Sequence, residues 1–441
     1  MKRSLRLLAL APFPNLTTRA VCHLCNPLYR NAYALMFNTV ATSGLGVVYW
    51  VLAARIYPPE TVGLNATLLS AMIFLAGLAQ LNLKGVLIRF LPIAASQTPR
   101  LILASYLISI ALALLLGALF VIGIGWFAPA LNELRANPLL GVWFIASAMT
   151  WCIFALQDNV LTGLRQTHWV PFENTLFALA KIILLVLLAT PWLADYSIFA
   201  SWTLPVLLAI VPINILIFRR LLPRNLKFSA PNAPPIEWRA LARYVGGDYV
   251  GSLFALALVT ALPLLVTQHA GAAANAYFYL AWVIASSLQL LNINLATSFT
   301  VEAAAQPHDL GACTRRFLRH AARLQIPLTA LLILVAPFVL QLFGRAYADE
   351  GVTLLRLLAF AALPHLVNAL FISIARVQRR VRVMALTQAA QCALGLALSF
   401  LFLRAFGIVG VGIGLVISES LIAAFLLFTQ IIPLLKREDY P

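Results

Sequence analysis

Between residues 32 and 430, long apolar segments follow one another with only short polar breaks. No other feature limits the fold as strongly, because roughly 20 apolar residues in a helix cross the ~30 Å hydrocarbon core of a bilayer. Twelve such segments are read, near 32–54, 62–83, 101–127, 139–161, 170–190, 196–218, 245–267, 274–298, 325–343, 352–375, 383–403 and 408–430. Composition agrees: 62% of the 441 residues are hydrophobic and 10% charged, with mean hydropathy +0.92. A soluble domain carries about 25% charged residues. The expected fold class is an all-α integral membrane protein with twelve transmembrane helices.

The net charge of +17 in a soluble chain would suggest nucleic acid. Here the cations stand between apolar spans, where they set topology, and no nucleic-acid partner is expected. With the N-terminus cytoplasmic, 25 of the 31 basic residues fall in cytoplasmic segments. Only Arg55, Arg135, Arg345 and Arg404 fall outside, and Lys181 and Arg356 lie within spans. Both termini are therefore expected on the cytoplasmic side.

The longest polar interval runs from Arg219 to Arg243, with six basic residues against Glu237 and three prolines in SAPNAPPIEW. Prolines break helices, so this interval reads as a cytoplasmic linker. It divides the chain into a basic cytoplasmic tail (1–31), a six-helix lobe (32–218), the linker (219–243), a second six-helix lobe (244–432) and a cytoplasmic tail (433–441). Spans four to six recur as spans ten to twelve about 212 residues later, and LNL at 81–83 is matched by LNI at 291–293. Two parallel repeats about an axis along the membrane normal are the build of an alternating-access carrier.

Enzyme chemistry finds little support. Each outside loop is about a dozen residues or fewer, and no Walker loop, metal-ligand cluster or nucleophile constellation is present. No catalytic residue, metal or cofactor is expected. Five cysteines are too few for a disulfide framework, and Cys22 and Cys25 form a lone CHLC. The run LLALAPF lacks a small-residue cleavage site and does not read as a signal peptide.

Several short motifs carry a family resemblance. RIYPPETVGL (55–64), with Pro59, Glu60, Gly63 and Leu64, resembles the first outer loop of polysaccharide flippases. LNLKGVLIRFLP (81–92) is similar to the end of their second helix. FGRAYADEG (343–351) and FGIVGVGIG (406–414) resemble the outer loops before helices ten and twelve. Over residues 31–432 the chain resembles a Wzx-type flippase of the multidrug/oligosaccharidyl-lipid/polysaccharide (MOP) exporter superfamily. The tail with CHLC and the Ile56-Tyr57-Pro58 stretch depart from the pattern. The resemblance implies two six-helix lobes in the bacterial inner membrane that move a polyisoprenoid-diphosphate-linked oligosaccharide. Its implied partners are that cargo, membrane lipid and other polysaccharide-assembly proteins. A cation-coupled multidrug antiporter of the same superfamily and a membrane component of a polymerase or secretion complex stand as alternatives.

Such a cargo needs a polar path, because its hydroxyls lose hydrogen bonds in hydrocarbon, and a cation for its diphosphate. Lys181 is the first candidate for that cation, about twelve residues into span five and near the bilayer centre; pairing with Glu173 is the structural alternative. Arg89 and Arg165, at cytoplasmic span ends, are candidates to guide the diphosphate or simple topological anchors. Glu419, Asp248 and Asp158 are candidate ion-coupling carboxyls. His365 is the mid-span histidine. Asn38, Gln80, Asn82, Asn292, Asn294, Gln388 and Gln391 supply uncharged hydrogen-bonding groups for sugar or for neighbouring helices.

Overall fold

The computed structural model describes residues 27–189, 194–224, 238–305 and 309–437. The CHLC motif and linker positions 225–237 lie outside the described residues. Among the described residues, all regular structure is helical. That follows from the sequence, since a backbone in hydrocarbon must satisfy its own hydrogen bonds.

The main helices are α1 (Pro27–Ile56), α2 (Pro59–Ala79), α3 (Thr98–Phe127), α4 (Pro138–Gly163), α5 (Trp169–Leu187) and α6 (Ser197–Leu216). After the linker come α7 (Trp238–Ala270), α8 (Ala272–Ala305), α9 (Leu310–Gln341), α10 (Arg345–Val377) and α11 (Val381–Leu426). Ten helices among the described residues are long and apolar enough to cross a membrane. Their outer faces suit lipid: only 22% of the apolar window in α9 is buried, and Phe338 and Leu334 are exposed. Buried asparagines such as Asn65, Asn275, Asn292 and Asn368 face inward instead. Polar inside and apolar outside is the arrangement of a membrane bundle.

The 46 residues of α11 would run about 69 Å if straight, twice the bilayer core. The helix breaks at Gly407, where φ is 59° and ψ −147°. Its arms fold back so closely that a Cβ on Gly410 would lie 2.0 Å from the Phe402 carbonyl oxygen. Counting twelve spans takes these arms separately and adds α1, whose described apolar part is Ala41–Ile56.

Some boundaries differ from the sequence reading. The second span, read as 62–83, stops at Ala79 because Leu81 and Asn82 both take positive φ; a short helix, Leu83–Phe90, follows. LNI in α8 shows no such break. At the linker, helix continues to residue 224 and resumes at Trp238, so Arg219, Arg220 and Arg224 are helical.

Local structure repeats between the halves. π-helical turns occupy Ile217–Leu221 and Leu427–Ile431. Arg165 and Arg379, each just past a helix end, adopt left-handed φ of 59° and 57°. The turns there share a hydrogen-bond pattern, with Gln166 N donating to Leu161 O and Arg380 N to Ala375 O. Both are helix C-terminal motifs of the kind that glycine usually completes.

The halves meet along α2, α7 and α8. Gly63 of the RIYPPETVGL motif is required there, because a Cβ would fall 1.7 Å from the Ala272 carbonyl oxygen. Asn275 Nδ2 donates to Gly63 O at 2.8 Å and to Thr67 Oγ1 at 2.8 Å, and the Thr67 and Thr267 hydroxyls lie 2.5 Å apart. Arg55 donates to the carbonyls of Gln341 and Leu342 at 2.8 and 2.9 Å. All these contacts sit at the end of the bundle that holds Ile56 and Ala270. Small residues and interhelical hydrogen bonds are what hold helices together when lipid is the solvent.

Candidate functional site

Lys181 lies in a box of aromatic rings. Its Nζ is 3.8 Å from the ring centre of Trp202 on α6, 4.7 Å from Tyr49 on α1 and 5.5 Å from Phe177. Phe177 precedes Lys181 by one turn of α5, so both share a face. Tyr49 is held in place by its hydroxyl, which lies 2.8 Å from Ser201 Oγ and donates to Ile198 O at 3.1 Å. Lys181 is 6% exposed, and its amine is met by π-faces, which attract the protonated form by about 2 kcal/mol when desolvated. It makes no ion pair among the described residues. The expected alternative of a Glu173 partner fails: both Glu173 carboxylate oxygens are buried without a hydrogen-bond partner.

Lys181 stands six residues, about 9 Å, before the end of α5 at Leu187. It lies three residues, about 4.5 Å, past the middle of this 19-residue helix. Arg165 precedes the start of α5, so roughly 18 Å of helix separates it from Lys181. Arg165 and Arg89 are both exposed, and Arg89 lies over the Phe90 ring at 5.8 Å. Neither joins the Lys181 box.

Asp158 sits at the opposite end of the first half. Asn174 Nδ2 on α5 donates to Asp158 Oδ2 at 3.1 Å, while Oδ1 is buried without a partner. Lys84, in the short helix after the α2 break, is close enough to Asp158 for their charges to interact, and so is Glu173. In the second half, Glu419 Oε2 accepts from Asn368 Nδ2 at 2.6 Å and Gln391 Nε2 at 3.2 Å. A turn away, Asn292 Nδ2 donates to Ala362 O at 2.7 Å and approaches His365 Nδ1 at 3.4 Å. One carboxyl is thus tied to α10 and to both arms of α11. The side chain of Asp248 lies outside the described residues.

The sequence profile of the polysaccharide biosynthesis protein family matches residues 28–298. The chain belongs to that family. No match was found among curated proteins. Among solved structures it is similar to an inward-facing MATE multidrug-resistance transporter of the MOP superfamily, at 15% identity and TM-score 0.65, covering 93% of this chain and 99% of that one. It is also similar to the lipid II flippase MurJ in an inward closed conformation, at 13% identity and TM-score 0.65, with 90% and 87% covered. A MOP superfamily transporter from Pyrococcus furiosus follows at 15% identity and TM-score 0.61, with 92% and 95% covered. These likenesses show a MATE-like fold, and the family match agrees with the resemblance read from the motifs.

Within this family member, the sequence reading found Lys181, Asp158 and Glu419 but not their surroundings. Tyr49, Phe177 and Trp202 come from three helices, and only the Phe177–Lys181 spacing is visible in sequence. The Asn368–Glu419–Gln391 cluster likewise needs α10 and both arms of α11. Glu173 enters the sequence analysis only as a partner for Lys181, and Lys84 is not singled out there.

Proposed function

We propose that this protein is a flippase that carries a polyisoprenoid-diphosphate-linked oligosaccharide across the bacterial inner membrane by alternating access, for surface polysaccharide assembly. In this reading twelve spans form two six-helix lobes, 32–218 and 244–432, joined by the cytoplasmic linker 219–243 with both termini cytoplasmic. The family match and the MATE-like fold support a membrane carrier, and the lopsided distribution of basic residues supports the orientation.

The observation that carries the reading is the Lys181 ammonium, buried in rings with no acid beside it. A cation kept in low dielectric without a counter-ion attracts a diphosphate strongly. The box is closed in this state, and its walls are linked to the seam between lobes. Trp50, next to Tyr49 on α1, packs edge-on against Tyr279 of α8 at 5.0 Å. Tyr49, Phe177, Lys181 and Trp202 all belong to the first lobe, so opening the box requires α1 to shift within that lobe, and the Trp50–Tyr279 contact couples such a shift to the parting of the seam. Arg89 and Arg165 lie at the cytoplasmic entrance in this orientation and first meet the diphosphate there. Glu419, Asp158 and Asp248 are the carboxyls we assign to ion coupling.

The test is complementation of a flippase-deficient bacterial strain that builds its surface glycan on a lipid carrier. Expression of this chain with its matching glycan enzymes should clear lipid-linked glycan from the inner leaflet. Persistent accumulation despite correct membrane insertion would contradict the proposal.

A further inference from the structure

A second candidate site lies away from the Lys181 box. Between the halves, a groove of about 540 Å³ opens among α2, α3, α7 and the first arm of α11. Its volume is in the range of small-molecule sites, roughly 300–1,000 Å³. Its floor and walls are apolar, with Ala71, Phe74, Leu75, Phe120 and Leu264 among them. One edge is open toward lipid, where Leu119 is 56% exposed.

The groove has one polar end. Gln268 and His269, both exposed in the last turn of α7, line its rim. Leu396 lines it from α11, and Phe400 and Arg404 follow on the same face at one-turn intervals. The His269 ring meets Phe400 edge-on at 5.1 Å, and the Arg404 guanidinium lies over the same ring at 4.4 Å. Arg404 is exposed and has no acid partner among the described residues. It stands three residues before Gly407, about 4.5 Å from the break that ends this arm of α11. A single apolar slot thus ends in a guanidinium, an imidazole and an amide that can all donate hydrogen bonds.

We infer that this groove binds a single-chain lipid with a phosphate head, a polyisoprenyl phosphate, its chain in the slot and its head at Arg404, His269 and Gln268. The choice of an isoprenoid over a two-chain phospholipid rests on the function proposed above and on the single slot. Arg supplies planar, charge-assisted donors that suit phosphate oxygens. The groove lies between the halves, so an occupying chain is released or gripped as they move.

The test measures binding, not transport. Purified full-length protein in phosphatidylcholine nanodiscs carries a photo-crosslinking residue in place of Leu119. It is offered a polyisoprenyl monophosphate or phosphatidylglycerol, and adducts are counted by mass spectrometry. The polyisoprenyl phosphate should give the dominant adduct. Arg404→Gln, an exposed change that leaves folding intact, should weaken its capture about tenfold, as for the loss of one charge-assisted contact. Ala261→Phe should fill the slot and abolish capture. Preferential capture of phosphatidylglycerol, no capture of either, or capture indifferent to Arg404 would overturn the inference. Capture as expected from a chain that moves no glycan would instead uphold the groove and defeat the proposed function.

Discussion

The indole of Trp202 lies 3.8 Å from the Lys181 ammonium and closes the aromatic box from α6. If this contact stabilises the buried charge, the two residues are energetically coupled. Trp202→Leu, Lys181→Met and the double mutant should therefore give a coupling energy of about 1–2 kcal/mol in detergent unfolding. Strictly additive single effects would show that the ring only packs.

At Gly63 the halves lie so close that a side chain would have no room against Ala272 O. Gly63→Val should therefore open the seam. A Thr67→Cys/Thr267→Cys pair, placed where the hydroxyls now lie 2.5 Å apart, should cross-link readily in the parent chain and poorly with Gly63→Val. Equal cross-linking would mean that the helices adjust to the side chain without parting.

The motif RIYPPETVGL shows why part of this structure was legible. The spans depend on local order, above all apolar length, whereas the Gly63 crossing also needs its neighbour α8. The Gly407 break was also readable, since FGIVG separates two apolar runs. The break at Leu81–Asn82 was not, because LNL carries no glycine or proline and the same pattern stays helical in α8. The site surroundings were illegible for a different reason. Which rings face Lys181, and which amides reach Glu419, depends on helix rotation and neighbour choice, and a wholly apolar helix has little amphipathic signal to set its rotation.

Glu419 accepts two amide donors on one oxygen, and glutamine can keep an acceptor in that place. Glu419→Gln should thus retain expression and fold but lose the response of transport to a pH gradient. Flux into reconstituted vesicles that remains equally gradient-driven would remove Glu419 from ion coupling and leave Asp158 and Asp248 as the carboxyls to substitute next.

Topology is tested by thiol labelling in a cysteine-free background. Ala348, in the first turn of α10, is only 8% exposed and a poor reporter. Its neighbour Ala346 is exposed, as is Gln378 after α10. Ala346→Cys should react with an impermeant reagent on intact cells, and Gln378→Cys should react only after the membrane is opened. The reverse pattern would invert the orientation proposed here.

The most direct measurement is flux of a polyisoprenoid-diphosphate-linked oligosaccharide into proteoliposomes with wild-type protein, Lys181→Ala and Lys181→Arg. The account predicts transport by the wild type, loss with Lys181→Ala at unchanged reconstitution, and partial retention with Lys181→Arg, which keeps the charge but alters its reach. Adding Glu173→Ala to Lys181→Ala should restore nothing, because the two side chains do not pair. Full flux with Lys181→Ala would contradict the assignment of the caged ammonium to the cargo's diphosphate.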